Sequence, residues 1–87
     1  MIERDGNGFT VPAELLADAL LLEVADVPQR LRAGQITSQC EEGTGEDAGR
    51  WRLSFSHGRR RLRLVVDGAG AILSRSVVDF GNPLGGA

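Results

Sequence analysis

The spacing of hydrophobic positions changes once along the chain, and the change divides it. Through a segment from Pro12 to about Glu23 and just beyond it, Leu16, Leu20 and Val24 recur at i, i+4 and i+8, with Leu15, Ala19 and Leu22 widening the stripe. That predicts an amphipathic helix with a broad buried face. Pro12 suits the first helical turn, where its missing N–H costs nothing. A second, short helix is predicted over residues 27–33. Asp26 stands at its cap, and Gln29 three residues on can reach back as in a capping box. Arg30 and Arg32 suit its negative C-terminal end, and Gly34 suits the left-handed residue that stops it.

Beyond Gly34 the period becomes two. Ile36, Ser38 and Cys40 alternate with Thr37, Gln39 and Glu41 over residues 36–42. Trp51, Leu53 and Phe55 oppose Arg50, Arg52, Ser54 and Ser56, and Leu62, Leu64 and Val66 oppose Arg61, Arg63 and Val65. Such alternation marks half-buried strands. His57-Gly58 reads as a two-residue hairpin turn. It pairs Leu53 with Leu62 and Trp51 with Leu64, so both apolar sets face one side. It also sets Arg52 opposite Arg63. Residues 67–70 form the next turn, and residues 71–80 the last strand, with either Ile72 or Leu73 inward. At the other end, Asp5-Gly6-Asn7-Gly8 is a turn signal between two short strands at 2–4 and 9–11. The predicted fold is α+β: two helices packed on one face of a mostly antiparallel sheet, in the order ββααβββ. Residues 1–80 form one domain, and residues 81–87 a flexible tail.

Size makes stability an issue. A core within 87 residues supplies a net of about 3–5 kcal/mol. With one Cys and one His, neither an internal disulfide nor a rich metal site is available. Self-association is the remaining source, and a homodimer is expected. No apolar run approaches the ~20 residues that span a bilayer. Glu3, Arg4 and Asp5 stand where a signal peptide would begin, so the expected location is the cytoplasm, with no membrane partner. All ten basic residues are Arg. Residues 1–48 carry ten acidic residues against three Arg, a net −7, and residues 49–87 carry seven Arg against two Asp, a net +5. An acidic face therefore packs near a basic one, or one face is offered to a charged partner.

The strongest candidate for a binding face is the set Arg50, Arg52, Arg59, Arg61 and Arg63, all predicted to point away from the core. Like charges directly across a sheet are destabilising, so something must offset the Arg52–Arg63 pair. The simplest offset is solvent or the chain's own acids. An anionic ligand, single-stranded nucleic acid or a protein partner is the alternative. Sheet faces that bind single strands add stacking aromatics, and here Trp51 and Phe55 fall on the other side, so nucleic acid is disfavoured. The acidic, glycine-rich loop with Glu41, Glu42, Glu46 and Asp47 leads into a strand and repels phosphate, and its spacing fits no EF-hand. It reads as a structural turn, with a weak divalent-cation site as the alternative. A Cys40–His57 pair as nucleophile or metal site fails on strand spacing, which separates the two by ~13–20 Å. Cys40 reads as a buried small hydrophobe, and Trp51 as the largest single contributor to the core. The helix pair is too short and acidic for a helix-turn-helix.

The runs Leu31-Arg32-Ala33-Gly34-Gln35-Ile36, GEDAGRWRLSF at 45–55 and RLRLVVD at 61–67 resemble an uncharacterised bacterial family of small domains. The resemblance covers most of the chain and implies no activity, ligand or site. The residues predict no catalytic set, cofactor or metal. A non-enzymatic interaction or accessory protein is expected, a homodimer, with an anion-binding arginine face as the alternative function.

Overall fold

The two periods fold onto each other as two layers. The computed structural model describes residues 2–5 and 8–79; the expected tail at 81–87 lies outside them. Strands β1 (Glu3–Asp5) and β2 (Gly8–Thr10) form an antiparallel ribbon. Helices α1 (Ala13–Leu20) and α2 (Val27–Arg32) follow. Then β3 (Ile36–Glu42), β4 (Arg50–His57), β5 (Arg60–Asp67) and β6 (Ile72–Asp79) make one antiparallel sheet in chain order. Four strands follow the helices, one for each segment read from the sequence and one more than the order ββααβββ counts. The class is α+β, with both helices on one face. Leu16 and Leu20 of α1 and Val27 of α2 meet Leu53, Leu62, Leu64 and Val66 of the sheet in a single core.

Helix α1 stops at Leu20, three residues before the predicted end at Glu23. Leu21 takes a left-handed conformation (φ 59°), and the Leu22 N–H donates back to the Ala17 carbonyl at 2.9 Å. A short 3-10 turn at Val24–Asp26 leads into α2. The capping box does not form: Asp26 already has helical angles (φ −86°, ψ −16°) and makes no side-chain cap, whereas a capping residue needs an extended backbone. Gly34, at φ 76°, ends the helix as its position predicts.

The β4–β5 hairpin turns at Gly58-Arg59, not His57-Gly58, so His57 pairs with Arg60 and Leu53 with Leu64. Gly58 has φ +59° and Arg59 has no positive φ, which is the Gly-X form of two-residue hairpin that suits strand twist. The register therefore moves by two residues. An even shift keeps every side chain on its predicted face, but it changes every partner. Arg52 faces Val65, and Arg63 faces Ser54. The like-charge pair expected from the sequence is absent, because the turn glycine sits one place earlier than assumed.

Ile72 pairs with Val66 on the helix-covered side, and a bulge between Val65 and Val66 leaves Leu73 as the extra residue. Gly70 joins this region to the N-terminal ribbon. Its carbonyl accepts the Ile2 N–H at 2.8 Å, its φ is +87°, and a Cβ there would collide with the Ile2 carbonyl oxygen. Glycine is required on both counts.

Two expectations about the core are corrected. Cys40 is exposed. It lies on the helix side of β3, opposite Leu53, but only Ile36 of that edge strand is buried, because α2 covers only the Ile36 end. Trp51 is half-buried and packs at the rim, its ring 5.6 Å from that of Phe9. The fully buried large side chains are Ile2, Leu16, Leu20, Leu62, Leu64, Val27 and Val66.

Candidate binding face of the sheet

Because side chains alternate along a strand, covering one side of the sheet with helices leaves the other to polar residues of all four strands. The register places them in rows. One row runs Gln39–Ser54–Arg63–Ser76, the next Thr37–Ser56–Arg61–Val78, and a third Glu41–Arg52–Val65–Ser74; Arg50 stands opposite Asp67 at one end. No row holds two arginines. Each guanidinium is spaced by serine, threonine, valine or a carboxylate, which removes the cross-strand repulsion.

Arg50, Arg52, Arg61 and Arg63 thus share one face, as predicted. Arg59 does not belong to the rows: it sits in the hairpin turn. Arg61 donates to the Ser56 hydroxyl at 3.2 Å, and Arg52 approaches Glu41 at 3.9 Å. Among the described residues no hydrogen bond or ion pair joins Arg63, although it lies near the middle of the face. The neighbouring Ser54 is buried. The hydroxyls escaped the sequence reading of the site, which followed charge alone. Their signal was available in the alternation of the polar edge strands, with Thr37, Gln39, Ser74 and Ser76 in phase with the arginines.

At the loop end of this face lies a concavity of about 440 Å³. Val65 and Leu73 give it an apolar lining, while Arg50, Arg52, Glu41 and Asp47 bring both signs of charge to its wall. The charge asymmetry of the two halves is partly resolved inside the chain. On the helix-covered side Arg75 pairs with Asp18 at 3.0 Å and Arg60 with Asp79 at 3.2 Å. Arg60 also donates its Nε–H to the Ala19 carbonyl at 2.9 Å, near the C-terminal end of α1, where a cation is favoured.

The other candidates remain dispersed. Cys40 pairs with Leu53 and His57 with Ile36, four residues apart along the ladder or ~13 Å, so the two do not meet. His57 is the last residue of β4 and half-buried, not a hairpin tip. The acidic loop contains a short 3-10 turn at Gly45–Asp47. Among the described residues no three His, Cys, Asp or Glu side chains gather as metal ligands would. No helix among them is long and apolar enough to cross a membrane.

No curated protein and no solved structure matches the chain. A family model does match it over residues 1–84, nearly its whole length, and the chain belongs to that family, DUF6522, a family of unknown function.

Proposed function

We propose that the protein is a non-enzymatic, cytoplasmic interaction protein that receives an acidic polypeptide segment on the open face of its sheet. The observation that carries this reading is the open face itself. It presents four arginines interleaved with hydroxyls, and its central Arg63 is joined by no hydrogen bond or ion pair among the described residues. Carboxylates match guanidinium geometry, and the serines and threonine add donors between the charges. Val65, Val78 and Leu73 offer apolar contact beside them, which a polypeptide with mixed side chains uses and a simple anion does not. A nucleic acid fits less well. Among the described residues the face has no aromatic side chain for base stacking, and the chain's net charge is −2.

Fluorescence anisotropy of a labelled oligoglutamate peptide titrated with the full chain tests the reading. Saturable binding that weakens with salt and falls in an Arg61→Gln/Arg63→Gln variant of unchanged melting temperature supports it. Each exposed ion pair is worth ~0–1 kcal/mol, so losing two costs up to about thirtyfold in affinity. Tighter, Arg-dependent binding of oligo-dT would move the site to nucleic acid. Binding that ignores the double substitution would remove the open face from the account.

A further inference from the structure

The two edges of the sheet differ, and the difference concerns a surface distinct from the open face. Strand β3 ends one side with Thr37, Gln39, Glu41 and Glu42, the polar and charged edge by which proteins discourage stray pairing. Strand β6 ends the other with no Pro, no Lys and one Arg. All eight of its residues are exposed, including Ile72, Leu73, Val77 and Val78 at 37–49%. Its single cation, Arg75, is held toward Asp18 on the helix-covered side. The bulge lies at the Leu73 end of β6, so residues 74–79 run as a regular strand. Its outer backbone groups have no ladder partner among the described residues, since β6 is last in the sheet order.

We propose that β6 is a dimer seam, where a second copy of the chain adds its own β6 antiparallel across a two-fold axis, with Val77 opposite Val77. A two-fold interface must be self-complementary, and the pattern of β6 is so in one register. Continuing a sheet keeps each face on its own side, so directly opposed residues share a face. Centring the pair on Arg75 opposes two like charges. Centring it on Ser76 sets Arg75 against Val77. Centring it on Val77 sets Arg75 against Asp79 of the other copy, twice over. The existing Arg60–Asp79 and Arg75–Asp18 pairs then extend into a row of alternating sign across the seam, Arg60, Asp79, Arg75, Asp18. The two Val77 side chains supply the apolar centre on the same face, and on the open face Val78 meets Ser76. The two arginine faces become one continuous surface. This inference stands independently of what that surface binds.

Sedimentation of the full chain at micromolar concentration, with a charge variant and a pair of cysteine variants, tests the seam. The wild type is expected at twice the 9.3 kDa chain mass. Val77→Lys, an edge charge at an exposed position, is expected to sediment as a 9.3 kDa species with a cooperative melt. The cysteine variants keep the test open should Val77→Lys disturb the fold. In a Cys40→Ser background, Val77→Cys is expected to form an interchain disulfide on mild oxidation, since directly opposed Cβ atoms lie about 4.5–5.5 Å apart. Ser74→Cys is expected not to link, because it would stand ~20 Å from its copy in this register. A wild type that stays at 9.3 kDa overturns the proposal. So does a dimer that survives Val77→Lys, or one that links at Ser74→Cys and not at Val77→Cys.

Discussion

Leu64 and Arg63 are neighbours on the same strand, and they live in different proteins as far as packing is concerned. Leu64 lies under the helices at 0% exposure, with Leu53 across the ladder. Arg63 lies on the other face between Ser54 and Ser76. The covered face is selected for volume and apolarity, because α1 and α2 pack Leu16, Leu20 and Val27 onto it, with Asp18 and the Ala19 carbonyl meeting Arg75 and Arg60 beside that core. The open face has no such constraint from the described chain, yet it is organised: arginines and hydroxyls alternate across the strands and no two cations stand directly opposed. The covered face holds the fold together, and the open one carries the charged and hydroxyl groups of the sheet.

Three substitutions sharpen this contrast. Leu64→Ala deletes fully buried volume from the core and should cost about 2–5 kcal/mol. A domain this small has a comparable total, so loss of the cooperative thermal transition is expected; a melt near the wild-type temperature would show that the helices do not seal that face. Gly70→Ala comes next. It forces a Cβ into a left-handed backbone and against the Ile2 carbonyl, which should cost about 2–3 kcal/mol and detach the N-terminal ribbon first. Hydrogen exchange reads this as faster exchange of the Ile2 amide relative to β4 and β5. Arg63→Ala is the smallest in stability, within about 0.5 kcal/mol of wild type, measured by urea titration. A loss as large as that of Leu64→Ala would mean that the two faces are not functionally divided.

The edges teach the same lesson at right angles. On β3, Cys40 has the phase of a core residue and is exposed, because no helix reaches its end of the strand. On β6, Ile72 and Val77 also have the inward phase, and both stay exposed. Phase decides which side of a sheet a residue takes. Burial depends on how far the covering layer extends, which no local pattern records.

The amino-acid sequence by itself determined the element types, the α+β class and the side each residue of β3, β4 and β5 takes, while leaving either Ile72 or Leu73 inward on β6. Periods of 3.6 and 2 are properties of neighbouring residues, and they survive an error of two in register. It also placed Arg50, Arg52, Arg61 and Arg63 together. Only the tertiary structure decided what stands opposite each of them. That choice turned on Gly58 taking the positive φ at the first turn position, which moved every partner along by two and exchanged an Arg–Arg clash for Arg–Val and Arg–Ser pairs. It likewise decided that Leu21 ends α1, that the bulge sets Leu73 apart, and that Trp51 packs at the rim against Phe9. The Trp51–Phe9 contact joins residues far apart in the chain, and at the helix end and the bulge the competing local choices differ by too little for the sequence pattern to select among them.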